Sequence, residues 1–150
     1  MGNPLEQSAR SEAGFGFPNI DKELGEIERV AQKYSPQDVR GFVQAFCEKA
    51  KQSQLADLTE EMWSALDNSD SFAVPQNGWD TIEDLINSLN EETGSTRDWK
   101  KFKTMMEKGQ KVDAPILLKR SGQLHKVSGN TRLMVARAMG RTPKVLVVEV

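Results

Sequence analysis

Ser128-Gly129-Asn130-Thr131-Arg132 is the stretch of this chain best equipped for chemistry. It lies between an apolar strand-like run and a helix-like one, so it opens a helix. A helix start leaves backbone N–H groups without intrahelical partners at the positive end of the helix dipole. A glycine there lets an anion come close to the backbone, and Arg132 adds a forked, permanently charged donor. Ser128, Gly129, Asn130, Thr131 and Arg132 therefore have the makings of a phosphate site. The plainer alternative is a good helix cap, with Arg132 paired on the surface to Asp113 or Glu149. His125, the sole histidine, stands three residues before Ser128 and is the candidate proton carrier. Its alternative is a structural or exposed strand histidine. Lys100, Lys101 and Lys103 form a basic cluster, read either as a solvated helix face or as a nucleic-acid contact.

The elements that must position these residues follow from periodicity and caps. Helices are expected over Asp21 to Tyr34, from Ser35 through Ala50, after Thr59, from Trp79 to Gly94 and from Trp99 to Gly109. Ser35-Pro36-Gln37-Asp38 reads as a helix start with Ser35 as cap and Asp38 reaching back. Ser71 to Val74 can be a short strand stopped by Pro75. Ser95-Thr96-Arg97-Asp98 restarts the chain into a helix whose apolar face carries Trp99, Phe102, Met105 and Met106. Strands are expected over Ala114–Lys119 and Gln123–Val127, joined at Ser121-Gly122 as a hairpin. A helix over Asn130–Met139 follows. The closing strand Val145-Leu146-Val147-Val148 is apolar without alternation, which predicts cover on both faces.

At 150 residues the chain suits one domain, or a compact domain with a helical extension. No apolar run reaches the length of a membrane span, and Met1 to Phe17 lacks the pattern of a secretory signal, so no membrane association and a cytoplasmic setting are expected. One cysteine, Cys47, cannot close an internal disulfide and reads as a packing residue. One histidine and one cysteine make a structural zinc site improbable, and no metal ligands are assigned. The net charge of −2 conceals an asymmetry. Residues 1–95 hold 7 Lys and Arg against 18 Asp and Glu, a balance of −11, whereas residues 96–150 hold 13 against 4, a balance of +9. A basic C-terminal third implies an anionic partner, unless the acidic part folds onto it and cancels it.

Over residues 95–150 the order of motifs resembles the ParB/sulfiredoxin fold family. The motifs are the lysine-rich helix ending at Gly109, the Pro115-Ile116 strand, the Gly129-x-x-Arg132 turn, a helix ending at Gly140, and a valine-rich closing strand. The resemblance implies a nucleotide whose phosphates sit at the Gly129–Arg132 turn. It departs from the sulfiredoxin branch, which needs a cysteine where this chain has Asn130, and that argues against sulfinic-acid reduction. It departs from the DNA-partitioning branch at Asn130 and Thr131. The kinase branch uses an upstream acid, for which Asp80, Glu83 and Asp84 are candidates.

The fold expected is α+β, a helical part over about residues 20–94 packed on a small ParB/sulfiredoxin-like α/β unit with a short mixed sheet. The domain reading is a mobile arm over 1–18, an acidic helical region over 19–94 and a basic domain over 95–150. The function expected is a nucleotide-binding protein using ATP or CTP with Mg2+, as a small phosphotransferase or nucleotide hydrolase. The alternative is a DNA- or RNA-binding or nuclease-like accessory module of the kind phages and mobile elements carry. A third reading has the acidic helical region binding a protein partner or masking the basic site.

Overall fold

Two hydrophobic clusters, one on each face of a four-stranded sheet, organise the molecule. The computed structural model describes residues 14–67, 70–94 and 97–150. The strands are β1 (Phe15–Gly16), β2 (Leu55–Asp57), β3 (Val112–Asp113), β4 (Ile116–Arg120), β5 (Gln123–Ser128) and β6 (Lys144–Glu149). The helices are α1 (Leu24–Tyr34), α2 (Val39–Gln52), α3 (Glu60–Ser64), α4 (Trp79–Thr93), α5 (Trp99–Glu107) and α6 (Asn130–Ala138). The fold is α+β, helices against a short mixed sheet.

The main sheet runs β2-β6-β4-β5. The central strands β4 and β6 are parallel, and each outer strand is antiparallel to its neighbour. Successive strand side chains point to opposite faces. Val145 of β6 and Leu117 of β4 accordingly enter one cluster, beside residues of α3, α4, α5 and α6. Leu146, Val148, Ile116 and Leu118 enter the other, against α1 and α2. Both faces of β6 are covered, and its apolar run without alternation follows from that.

Each cluster draws residues from both sides of position 95. The sheet does the same, because β2 pairs with β6 through Leu55–Leu146, Ala56–Val145 and Asp57–Lys144. β2, three residues long, is too short to stand out by periodicity; its strand conformation comes from pairing with β6. The N-terminal arm expected over 1–18 also differs from what is found at its end. Phe15 is buried and β1 pairs in parallel with β3, with the Val112 and Ala114 amides donating to the Gly14 and Gly16 carbonyls. Residues 1–13 of that arm lie outside the described residues.

Side-chain caps set the starts of α2, α3 and α5. Thr59 caps α3, accepting from the Met62 amide at 3.2 Å. Asp98 caps α5 through the Lys101 amide; Ser95 and Thr96, expected to share that start, lie outside the described residues. At α2 the cap is Asp38, which accepts from the Gly41 amide at 3.1 Å, and not Ser35. Ser35 instead ends α1, its amide donating to the Ala31 carbonyl, and the next start falls to Asp38. The helix expected from Asp21 begins as a 3₁₀ turn, Ile20–Glu23, before α1. Ser71 to Val74 forms a turn, not a strand. The buried Ser71 hydroxyl there takes the Trp63 indole N–H at 2.8 Å, which holds the segment against α3.

Candidate functional site

The start of α6 forms the floor of a groove of about 380 Å³. Gly129, the cap residue, lies in the left-handed region at φ 98°, and no side chain caps the amides that follow. A Cβ at Gly129 would sit 2.6 Å from Pro115 Cβ. Two demands thus select glycine here, the backbone conformation and close contact with the loop before β4. Packing against Pro115 accounts for the glycine whether or not an anion approaches.

Ser128, Asn130, Thr131 and Arg132 are all buried, and all line the groove. Ser128 Oγ and Asn130 Oδ1 have no hydrogen-bond partner. A buried polar atom left unpaired costs about 1–3 kcal/mol; of these two, the Ser128 hydroxyl can donate or accept, whereas Asn130 Oδ1 can only accept.

Arg132 is committed more deeply than a surface arginine. Its Nη1 donates to the Asp113 backbone carbonyl, its Nη2 lies 3.8 Å from Glu23 Oε1, and its guanidinium stands 5.9 Å from the centroid of the Phe102 ring. Burial pulls its pKa down from the ordinary arginine value, while Glu23 and Asp113 oppose that change. The surface pairing weighed for Arg132 therefore takes another form. Asp113 contributes its carbonyl, Glu23 contributes the carboxylate, and Glu149 pairs with Lys119 at 3.9 Å.

Three further cations line the groove, and sequence reasoning did not assign them: Arg29 of α1, Arg97 before α5, and Lys126 of β5. Lys126 carried the only signal, since two residues before Ser128 on a strand is the same face. Arg29 is brought in from about a hundred residues away by the packing of α1, and nothing local announces it. Burial pushes the Lys126 ammonium below its ordinary value. Asp67 opposes this, and the nearby Arg97 and Arg29 add to it. Carboxylates share the groove as well, namely Glu23, Glu26 and Asp98. Glu26 pairs with Arg29 at 2.8 Å.

His125 alternates with Lys126 along β5 and lies outside the groove lining. Its Nδ1 is 2.9 Å from the Tyr34 hydroxyl and 3.4 Å from Asp67 Oδ2, with the Tyr34 ring 4.8 Å away. It joins α1, β5 and the loop after α3. Asp80, Glu83 and Asp84 are exposed on α4 and do not line the groove. Lys100 and Lys103 cover a stacked pair of indoles, Lys100 over Trp99 and Lys103 over Trp79, the two rings 5.8 Å apart. Lys103 also pairs with Glu107, while Lys101 is exposed.

Among the described residues no group of three or more His, Cys, Asp or Glu gathers where a metal ion could be held. No helix among them is long and apolar enough to cross a membrane. No family model, curated protein or solved structure matches this chain.

Proposed function

We propose that this protein binds the phosphates of a nucleoside triphosphate, ATP or CTP, in the groove at the start of α6. The observation that carries the reading is one of convergence. An uncapped helix start, the unpartnered Ser128 hydroxyl and the cations Arg29, Arg97, Lys126 and Arg132 belong to residues that line a single groove. Each is an ordinary feature alone; together they supply oriented N–H donors, positive charge and unmet hydrogen-bonding capacity. Phe102 offers an apolar wall beside them. Magnesium enters this reading with the phosphates. Its charge would offset that of the triphosphate beside Glu23 and Asp98. A phosphotransferase or nucleotide hydrolase on this scaffold would work by positioning and charge stabilisation. The resemblance of residues 95–150 to the ParB/sulfiredoxin family points the same way.

The test is calorimetric titration of ATP and CTP with magnesium into wild type and Lys126→Gln. Lys126 serves better than Arg132, because removing Arg132 also strips the partner from Glu23 and the Asp113 carbonyl. The expected outcome is saturable binding by wild type, weakened roughly tenfold in the variant, the worth of one charge-assisted contact. Equal and negligible heats in both proteins would remove the reading.

A second reading, DNA or RNA binding, draws on the basic cluster of α5, Lys100, Lys101 and Lys103. Lysines there would track the phosphate backbone. Affinity for single-stranded DNA or RNA should then fall steeply with salt and fall further in Lys100→Gln/Lys101→Gln; a weak, flat response at low salt would eliminate it.

A further inference from the structure

We infer that Glu23 is the groove's own occupant, a carboxylate that holds the free side of the Arg132 guanidinium and must be displaced by an incoming anion. Glu23 then decides which anions gain entry, favouring polyphosphates over singly charged ligands. The inference rests on the reading of the groove as a phosphate site.

The geometry around Glu23 and Arg132 supports it. The Glu23–Arg132 contact is loose: at 3.8 Å it lies at the outer limit of an ion pair, well beyond the roughly 2.7–2.9 Å of a closed charge-assisted hydrogen bond. Both side chains are nonetheless largely sheltered, at 18% and 10% exposed, so the pair neutralises charge that solvent would otherwise have to screen. A phosphate oxygen offering a shorter contact can replace such a carboxylate.

The guanidinium also does not depend on Glu23 for its orientation. Nη1 is held by the Asp113 carbonyl, so withdrawal of the carboxylate leaves a positioned donor behind. Glu23 itself sits at a joint, the last residue of the 3₁₀ turn and the cap of α1. The turn is anchored upstream by buried Ile20 and by the Asn19 amide donating to Asp113 Oδ2 at 3.2 Å. Asp113 thus ties down both the arginine and the turn that carries its competitor, and the side chain of Glu23 can turn away without moving either.

Ligand charge follows from this balance. A singly charged anion would exchange one negative group for another at Arg132. A polyphosphate replaces the carboxylate and has oxygens left for Lys126, Arg97 and the unpaired Ser128 hydroxyl.

The experiment is titration of magnesium-free pyrophosphate into wild type, Glu23→Gln, Glu23→Ala and Glu28→Gln. Glu28 is exposed on α1, outside the groove, so its change matches the loss of net charge alone. Binding should tighten roughly tenfold in Glu23→Gln and move the same way in Glu23→Ala, the size expected for removing one partly screened like charge. Glu28→Gln should stay close to wild type. Unchanged or weaker binding in both Glu23 variants, with wild type still binding, overturns the inference and leaves the phosphate reading standing. A tightening of equal size in Glu28→Gln also overturns it. No binding by any of the four proteins removes the phosphate reading and this inference together.

Discussion

Gly129 shows how one residue answers two requirements. Its backbone is left-handed, and its α-carbon faces Pro115 with no room for a methyl group. Gly129→Ala should cost about 2–4 kcal/mol, the sum of the left-handed penalty and local overpacking, measured as a lowered urea midpoint at unchanged slope. Lys126 carries the pH dependence. Its folded pKa lies below the ordinary 10.5 because burial disfavours the charged form. As pH rises through that lowered value towards 10.5, the folded lysine has lost its proton and the unfolded one has kept it. The contribution of this group to stability therefore rises with pH across that alkaline window. Unfolding free energies measured over the window should show the rise in wild type and lose it in Lys126→Met. Anion affinity should fall over the same interval, because the ammonium that attracts the ligand is being neutralised.

The β4–β5 hairpin places Lys126 and Ser128, and its turn explains how. Arg120 faces Gln123 across a two-residue loop, with Ser121 at φ 52° and Gly122 at φ 77°. Two positive φ values are the mark of a type I′ turn, whose twist suits the flanking strands. Ser121 adopts the left-handed conformation at a cost that glycine does not bear. Ser121→Gly should therefore stabilise the protein by about 0.5–1 kcal/mol, read as a higher thermal midpoint with ligand affinity unchanged. The turn was legible because serine and glycine between apolar runs have few other uses. β2 was not legible: Leu55-Ala56-Asp57 has no strand signal of its own, and the backbone of β6 recruits it. At the start of α2 two capping residues three positions apart, Ser35 and Asp38, compete, and the end of α1 at Ser35 decides between them.

The acidic and basic portions of the molecule are interleaved. The groove combines Arg29, Glu23 and Glu26 from the first part with Lys126 and Arg132 from the second. Some of the charge asymmetry is thereby cancelled inside the fold, as at Arg132–Glu23 and Lys144–Asp57. A chain lacking residues 1–94 would lose β2 and, from the cluster against α1 and α2, Ile27, Phe42, Phe46 and Ala50. Its far-ultraviolet dichroism and amide-proton dispersion should show an unfolded or loosely collapsed chain. A folded, ligand-binding fragment would instead mean that the basic part stands alone.

By itself the sequence determined the local elements whose signals sit within one turn or one strand. These include the cap at Thr59, the strand with both faces covered at β6, the hairpin at Ser121-Gly122 and the helix opening at Asn130. It also marked Ser128 to Arg132 as residues that gather at one place, because they are neighbours in the chain. Only the tertiary structure decided what stands opposite them. Arg29 and Glu23 arrive on α1 and the turn before it, and His125 is directed away to Tyr34 and Asp67. Such pairings depend on how helices seat against the two faces of the sheet, and that is set by the summed burial of many apolar residues, which no short run of residues encodes.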